Sequence, residues 1–346
     1  MIQVSITEGA GCNDFRDYVL QNSSTLIYSD PRFLELLSEH LSASCSWLVA
    51  RQNSEIVGLL PYLKKDGPLG PVFNSLAYYG SNGGVIQVKP DSESKSSLVD
   101  AFYMIAADDN ASSATIITNP LELDSDFYNK QIEYDFRDER IGLFTHLPLS
   151  EDLLIARFEN PRPRNIRRAI KEGVTVAKGS SDALPFLYEI HAENMRSIGG
   201  LPKRRSFFDA IPTKMHEDDW SVFTATLDGK PIAALLLFYF NQTVEYFTPV
   251  IVETHRNTQA LALVIYEAMR DAINRGFINW NWGGTWLSQG GVYDFKKRWG
   301  TSEYRYHYYT RVFNSALTSC SPEYILHHYP GFYLVPFNQL ECSSAK

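Results

Sequence analysis

The sequence predicts a mixed α/β fold built from two similar domains, each with a mostly antiparallel, twisted sheet flanked by helices. The chain has 346 residues, whereas a single hydrophobic core seldom extends beyond about 250 residues. Two β-hairpins are predicted at 46–63 and 220–240, because each segment has two apolar runs separated by a short polar turn. Strand and helix patterns alternate between 244 and 313. We therefore expect two copies of one α/β domain.

A basic amphipathic helix is predicted to open the second half of the chain. The segment "PRPRNIRRAIKEG" begins with prolines that suit a first helical turn and ends on Gly173, which suits a helix cap. Ile166, Ala169 and Ile170 share one face at helical spacing. We expect this apolar face to be buried and the arginines to lie elsewhere on the helix.

The segments after the second hairpin predict a strand, a helix and two further strands. The strand covers 244–252, the helix 258–276, and the later strands 277–282 and 303–313. A strand–helix–strand order implies a right-handed crossover between parallel neighbours. The glycines of "GGTWLSQGG" predict a loop at 283–291.

Charge, cysteine content and hydropathy exclude several classes of protein. The formal net charge of −8 repels nucleic acid, so we expect no DNA partner. The four cysteines lack metal-ligand spacing, which predicts neither a metal site nor a disulfide framework. The longest apolar run, 232–240, is far shorter than the roughly 20 residues of a membrane span, and no signal peptide is evident. The sequence predicts a cytoplasmic protein and leaves its oligomeric state open.

Several motifs resemble those of a known family. The segments "RPRNIRRAIKEGVTV", "EYFTPVIV", "FINWNWGG" and "FKKRWG" occur in the order found in the FemAB-like branch of the GNAT acyltransferase superfamily. The segment "YYGSNGGVI" resembles the glycine turn of that family's first domain. The resemblance implies two GNAT-like domains, at 1–155 and 156–313, and an aromatic tail at 314–346 that packs on the core.

The resemblance implies an enzyme that transfers an acyl group to an amine. In this chemistry a neutral amine attacks a thioester or ester carbonyl directly, and the enzyme orients the reactants and stabilises the oxyanion. The implied donor is an acyl-CoA, with acetyl-CoA first. The implied acceptor is an amino sugar, a nucleotide sugar, or a precursor of a cell-surface polysaccharide or of the cell wall. Two alternatives stay open. One is an aminoacyl-tRNA-dependent transferase acting on a peptidoglycan-type precursor, which alone would bring an RNA partner. The other is a non-catalytic binding module.

Three residues are predicted to take part in the reaction. Lys296 follows the phenylalanine of a segment similar to the family's Phe-Lys-x-x-Phe-Gly signature, and the resemblance places it at the reaction groove. A cation there would stabilise a developing oxyanion. Glu245 and Tyr246 lie on a predicted strand and are candidates for moving a proton. Phe295 and Trp299 are expected to pack around Lys296.

Arg256 and Asn257 lie where GNAT enzymes carry a glycine-rich turn that binds the CoA pyrophosphate. Gln259 and Leu261 replace small residues of that turn, and their bulk would keep the backbone away from a phosphate. This departure weakens the prediction of ordinary CoA binding. Arg256 and Asn257 remain candidates for a phosphate contact.

Other substrate- or donor-binding residues are predicted on the basic helix, on a later helix and on the strand "WNWGG". Arginines of the basic helix suit phosphate groups, and His191 and Asn194 share a helix face. Asn281 stands where the family often has aspartate, and an amide cannot take up a proton. The predicted binding set is Arg164, Arg167, Arg168, His191, Asn194, Arg256, Asn257, Asn281, Trp282, Gly283 and Phe295.

Overall fold

The chain folds into two compact units, and the computed structural model describes residues 1–11, 13–76, 83–285 and 290–340. The first unit is Met1–Arg140 with Arg305–Lys346, and the second is Ile141–Tyr304. In chain order the strands and helices are β1 (Gln3–Glu8), α1 (Asn13–Leu20), α2 (Pro31–Leu41), β2 (Ser44–Gln52), β3 (Glu55–Lys65), β4 (Val72–Asn74), α3 (Ser92–Asp108), β5 (Ser113–Ile117), α4 (Ser125–Gln131), β6 (Phe136–His146), α5 (Arg162–Lys171), β7 (Thr175–Gly179), α6 (Leu184–Ser197), α7 (Arg205–Lys214), β8 (Trp220–Leu227), β9 (Lys230–Phe240), β10 (Thr243–Ile251), α8 (Ala260–Asn274), β11 (Asn279–Thr285), α9 (Gly290–Lys297), β12 (Thr301–Val312) and α10 (Pro322–His328).

The two halves of the chain have the same order of elements. Leaving out short 3₁₀ turns, the order from β1 to β6 is β-α-α-β-β-β-α-β-α-β, and it is repeated from β7 to β12. The pairs β2–β3 and β8–β9 are the two predicted hairpins. Within each half one pair is parallel, β4–β5 and β10–β11, and the neighbouring pairs are antiparallel. The predicted mixed α/β fold is confirmed.

In the first unit the strands follow the order β1-β2-β3-β4-β5-β12. Strand β12 pairs antiparallel with β5, from Tyr308 opposite Ile117 to Val312 opposite Ser113. The C-terminal segment packs on this unit. The Tyr329 hydroxyl donates to the Gly70 carbonyl at 2.9 Å, and the backbone N–H of Tyr333 donates to Asn74 Oδ1 at 2.9 Å.

In the second unit the strands follow the order β6-β11-β10-β9-β8-β7. One hydrophobic cluster joins β9, β10 and β11 to α8 and α5, and it contains Val244, Trp280, Trp282 and Trp299. Helices α6 and α7 cover the other face of β9 and β10, where the ring of Phe207 stacks on Phe247 at 5.7 Å. Residues that alternate along β10 therefore face different helices.

Each compact unit contains a strand segment from the other half of the sequence. Strand β12 is the last strand of the second repeat, but it pairs with β5 of the first repeat. Strand β6 is the last strand of the first repeat, but it pairs with β11 of the second repeat. This arrangement explains why the first unit includes residues from both ends of the chain. The predicted domain boundaries, at 155/156 and 313/314, follow the two sequence repeats and do not coincide with the boundaries of these units. The predicted domains stay a prediction.

Two local predictions differ from the structure. Ile170, placed on the buried face of the basic helix, is 56% exposed, and that face instead carries Arg162 beside Ile166 and Ala169. Residues 283–285 belong to strand β11, and Gly290 and Gly291 belong to helix α9, so the predicted loop at 283–291 does not extend over either set. The remaining loop residues 286–289, and residues 77–82 of the predicted first-domain glycine turn, lie outside the described residues.

Candidate active site

The parallel strands β10 and β11 stop pairing before either strand ends, and the space between their carboxyl ends is named the cleft. They pair from Thr243 opposite Asn279 to Glu245 opposite Asn281. Immediately afterwards β10 bulges against β9, and β11 bulges against β6. Because both bulges follow the last pair, the carboxyl ends of the two strands separate there, which is where ligands bind in many α/β sheets.

Glu245 and Asn281 mark the base of this cleft. Glu245 is 2% exposed, and Asn281 Nδ2 donates to its Oε2 at 2.8 Å. Asn281 Oδ1 accepts from the backbone N–H of Gly283 at 2.8 Å. Gly283 has a φ of +73°, a left-handed conformation that favours glycine. Asn281 therefore positions the glutamate and the bulge together, because an amide can donate and accept at once.

Replacing Asn281 with aspartate is expected to impair both folding stability and function. Asn281→Asp would place two carboxylates at hydrogen-bond distance in a buried site, so one would have to hold a proton. The expected loss of stability is about 1–3 kcal/mol, measured by urea unfolding at neutral pH. The double variant Glu245→Gln/Asn281→Asp restores a donor opposite an acceptor and should recover much of this loss. If Asn281→Asp alone were as stable as the wild type, the assigned hydrogen bonds would be wrong.

Lys296 lies near the carboxyl end of helix α9 and reaches strand β11. Its side chain is largely buried, with the residue 9% exposed, and Nζ donates to the Gly284 carbonyl and to Thr285 Oγ1, each at 3.2 Å. Burial lowers the pKa of Lys296 to about 8, and the charge of Glu245 partly opposes this effect. An ammonium group with a pKa of about 8 remains mostly charged at pH 7. The cleft therefore contains a buried cation near a buried carboxylate.

The lowered pKa of Lys296 predicts how its stability effect depends on pH. The unfolded chain keeps this proton up to a pKa near 10.5, whereas the folded chain releases it above about 8. The lysine therefore destabilises the fold below pH 8, and this penalty fades as pH rises toward 10.5. We expect Lys296→Met to melt at a higher temperature than the wild type. The difference should be largest at pH 7 and smaller at pH 10. Calorimetry of both proteins checks this, and a difference that grew with pH would contradict it.

An aromatic wall stands beside the cleft on the side of α8. Trp282 stacks on Trp299 with ring centroids 5.5 Å apart, and Phe295 meets Trp282 edge to face at 6.3 Å. The Trp282 indole N–H donates to Thr145 Oγ1 at 2.9 Å. Tyr246 lies 4.8 Å from Trp282, and burial raises its pKa well above the usual range. Its phenol stays protonated at physiological pH, so it can donate a hydrogen bond but cannot act as a base.

His191 and Asn194 hold helix α6 in place. His191 Nε2 accepts the backbone N–H of Lys203 at 3.0 Å, and burial, followed by the charge of Lys203, lowers the pKa of His191 to about 4. Asn194 makes two hydrogen bonds to the backbone of Ile251, at 3.1 and 3.2 Å. Both side chains thus have structural partners, and their role in binding stays a prediction.

The N-terminus of helix α8 is already engaged in internal hydrogen bonds. Arg256 and Asn257 lie in a 3₁₀ turn, Glu253–Thr258, that precedes the helix. The backbone N–H of Ala260 bonds to Thr258 Oγ1 at 3.3 Å, and that of Ala262 bonds to the Gln259 carbonyl at 2.9 Å. Fewer amides are consequently available for a pyrophosphate at this helix end.

The arginines predicted to bind phosphate lie on the outer face of α5. Arg164, Arg167 and Arg168 are all exposed, and Arg168 pairs with Glu172 at 3.3 Å. They do not share the buried environment of Lys296, and their binding role stays a prediction.

Sequence reasoning missed His146 and Asn279, which form a polar cluster with Tyr304. His146 Nδ1 lies 2.9 Å from Asn279 Oδ1, and His146 Nε2 lies 2.7 Å from the Tyr304 hydroxyl. Asn279 precedes Asn281 by two residues and so lies on the same face of β11. The alternation of asparagines in "NWNW" was the available signal, but His146 comes from the other repeat. In the part of the chain that the structure describes, no group of three or more His, Cys, Asp or Glu side chains suits a metal ion.

Comparison with known proteins agrees with the motifs. Residues 162–297, which include every predicted site residue, match the family described as acetyltransferase (GNAT) domain. Lipid II:glycine glycyltransferase of Staphylococcus aureus is 27% identical over 104 residues, covering 30% of this chain and 25% of that protein. Its counterpart in Staphylococcus epidermidis is 24% identical over 106 residues, covering 30% and 26%. This part of the chain is similar to a GNAT domain, and the named relatives make the similarity one to the FemAB-like branch. The match spans about a quarter of the length of these relatives.

Solved structures share the fold of this chain. The crystal structure of FemX superposes with a TM-score of 0.72 at 16% identity, covering 88% of this chain and 96% of that one. A tandem GNAT protein from the clavulanic acid biosynthesis pathway gives 0.56 at 11% identity, covering 90% and 99%. Among the described helices, none has the length and hydrophobicity of a membrane span. The cytoplasmic location stays a prediction.

Proposed function

We propose that this chain is an acyltransferase that moves an aminoacyl group to an amine of a peptidoglycan-type cell-wall precursor. The observation that carries the proposal is the buried Lys296 ammonium near Glu245, where β10 and β11 separate. The similarity to relatives named lipid II:glycine glycyltransferase supports the choice of acceptor and acyl group.

Lys296 is proposed to stabilise the negative charge that develops on the carbonyl oxygen. The acceptor nitrogen attacks the carbonyl carbon of the donor ester, and the electron pair of the C=O bond moves to oxygen. Among the described residues, two N–H groups of Lys296 have acceptors, the Gly284 carbonyl and Thr285 Oγ1, which leaves the third for the oxyanion. When the oxyanion collapses, the ester oxygen departs with the bonding electrons and takes up the proton that the attacking nitrogen lost, so that the donor leaves as an alcohol.

Glu245 is proposed to accept the proton that the attacking nitrogen must lose. Its Oε2 is held by Asn281 Nδ2, which fixes the carboxylate at the base of the cleft. Tyr246 cannot fill this role, because burial raises its pKa far above physiological pH.

The structure of the α8 N-terminus favours an aminoacyl-tRNA over an acyl-CoA donor. Gln259 adopts a φ of +61°, and its side chain donates to the Arg256 carbonyl at 3.1 Å. A large, internally hydrogen-bonded side chain therefore lies where a glycine-rich turn would leave room for a pyrophosphate. The acyl-CoA donor predicted from the sequence stays the second candidate. The net charge of −8 favours it, because that charge repels RNA.

Parallel assays with two donors test this proposal. The full chain is incubated with a soluble peptidoglycan precursor that has a free amine, together with glycyl-tRNA or acetyl-CoA, and the acceptor is examined by mass spectrometry. We expect glycine on the acceptor with glycyl-tRNA, and a steep loss of donor binding as salt increases. Acetylation alone would make acyl-CoA the donor. No transfer from either donor, in a preparation that is folded and binds acceptor, would favour the non-catalytic alternative and overturn the proposal.

A further inference from the structure

Arg162, the first residue of helix α5, is a buried arginine beside the aromatic wall. It is 9% exposed, and its guanidinium carbon lies 4.3 Å from the ring centre of Phe295 and 5.4 Å from that of Trp299. Its Nη2 donates to the Phe295 carbonyl at 3.1 Å. These contacts fix the plane of the guanidinium at the end of α9.

The guanidinium of Arg162 is poorly satisfied. Its buried Nε has no hydrogen-bond partner, and within the described residues no carboxylate pairs with it. Burial lowers the pKa of Arg162, and the charge of another cation, Arg298, lowers it further. Burying an unpaired charge with free donors is costly, and arginines in such sites commonly pair with anions. The arrangement suits a negative group supplied from outside the chain.

Tyr246 and Arg162 border the same aromatic cluster, since Tyr246 contacts Trp282, which contacts the rings of Phe295 and Trp299 beside Arg162. The charge of Arg162 acts on the Tyr246 phenol and partly offsets the effect of burial on its pKa. In the described parts of the chain the Tyr246 hydroxyl makes no hydrogen bond, and its ring is held by Trp282 at 4.8 Å. Tyr246 also follows Glu245 directly on β10, so its side chain lies on the opposite face of the strand from that of Glu245. Arg162 and Tyr246 therefore lie next to the cleft.

We propose that Arg162 and Tyr246 bind a phosphate group of the acyl donor. A guanidinium presents N–H groups in a planar fork that matches phosphate oxygens, and the phenol adds one more donor. The assignment of this phosphate to the donor rests on the proposed acyl transfer, whereas the binding of a phosphate itself does not. Coenzyme A and the 3′ end of a tRNA both carry phosphates, and they are separate arms of the test.

The test measures binding of two probes to the full chain by calorimetry and by tryptophan fluorescence. The probes are coenzyme A and a short oligoribonucleotide ending in CCA without an amino acid. The variants are Arg162→Gln, Arg162→Lys and Tyr246→Phe, with Lys171→Gln as control, since Lys171 is an exposed cation at the other end of α5. We expect Arg162→Gln to weaken one probe about 10-fold or more, as for loss of a charged hydrogen bond. Tyr246→Phe should weaken it less, and Lys171→Gln should leave it unchanged.

Several results separate this inference from the proposed function. If the wild type binds neither probe, or if all three site variants bind like the wild type, the phosphate site is overturned even where acyl transfer is observed. If binding depends on Arg162 but no acyl transfer occurs, the site stands and the proposed function falls. Tyr246→Phe retains the aromatic ring, so a loss of affinity in that variant cannot be attributed to unfolding. Arg162→Lys keeps the charge and should retain more affinity than Arg162→Gln.

Discussion

Lys296→Met is expected to lower the rate of acyl transfer by about 10²–10³-fold, the usual effect of removing one donor to an oxyanion. Methionine fills a similar volume without the ammonium, so the cleft loses a charge but little packing. Nζ of Lys296 has two fixed acceptors on β11, and this geometry aims the remaining N–H. Steady-state turnover with a saturating donor measures the effect, which should fall on kcat more than on KM.

The neighbouring lysine provides the control for this experiment. Lys297 is exposed, and its Nζ donates to the Tyr293 hydroxyl at 3.0 Å, away from the cleft. Lys297→Met should therefore transfer at nearly the wild-type rate. Both variants are first compared with the wild type by calorimetry. If folded Lys296→Met were as active as Lys297→Met, the assignment of Lys296 would be wrong.

Trp299→Ala is expected to destabilise the second unit by about 3–5 kcal/mol. Trp299 is 0% exposed, and its ring contacts Trp282 at 5.5 Å and Phe158 at 4.9 Å. Its backbone carbonyl also accepts from Thr145 Oγ1 at 3.0 Å. Removing the indole leaves a large cavity among side chains that come from separate elements. Urea unfolding followed by circular dichroism measures the free energy lost.

Trp299→Phe is the matched control, because it keeps an aromatic ring in the same position. In the described part of the chain the Trp299 indole N–H is buried without an acceptor, so phenylalanine removes an unsatisfied donor as well as some contact area. We expect a clearly smaller loss of stability than for alanine. A loss below about 1 kcal/mol for Trp299→Ala would show that this side chain is not a core element.

The sequence predicted the elements whose patterns are local. The hairpins β2–β3 and β8–β9 follow from paired apolar runs, and the crossover from β10 through α8 to β11 follows from a change of hydrophobic period. Burial of Trp299 agrees with its place in the family-like "FKKRWG" segment. These features depend on residues close together in the chain, so a pattern can reveal them.

Features set by distant partners could not be read from the sequence. Helix α9 includes Gly290 and Gly291, whose low helix propensity predicts a loop, yet its later turn packs Phe295 on Trp282. The buried position of Arg162 depends on Phe295 and Trp299, more than a hundred residues away. The exchange of β6 and β12 between units likewise depends on long-range pairing. In the sequence, Asn281 stands only as a replacement for the family's aspartate, because its two hydrogen bonds, to Glu245 and to Gly283, depend on the folded structure.

The pH dependence of single-turnover acyl transfer tests the role of Lys296 most directly. Burial sets the pKa of this lysine at about 8, so the charged form that stabilises the oxyanion is lost as pH rises through 8. We predict that the wild-type rate falls above pH 8, although a free amine acceptor becomes more nucleophilic there, and that Lys296→Met is slow with no such fall. A wild-type rate that kept rising through pH 9, or the same fall in Lys296→Met, would contradict the assignment of Lys296 as the oxyanion-stabilising cation.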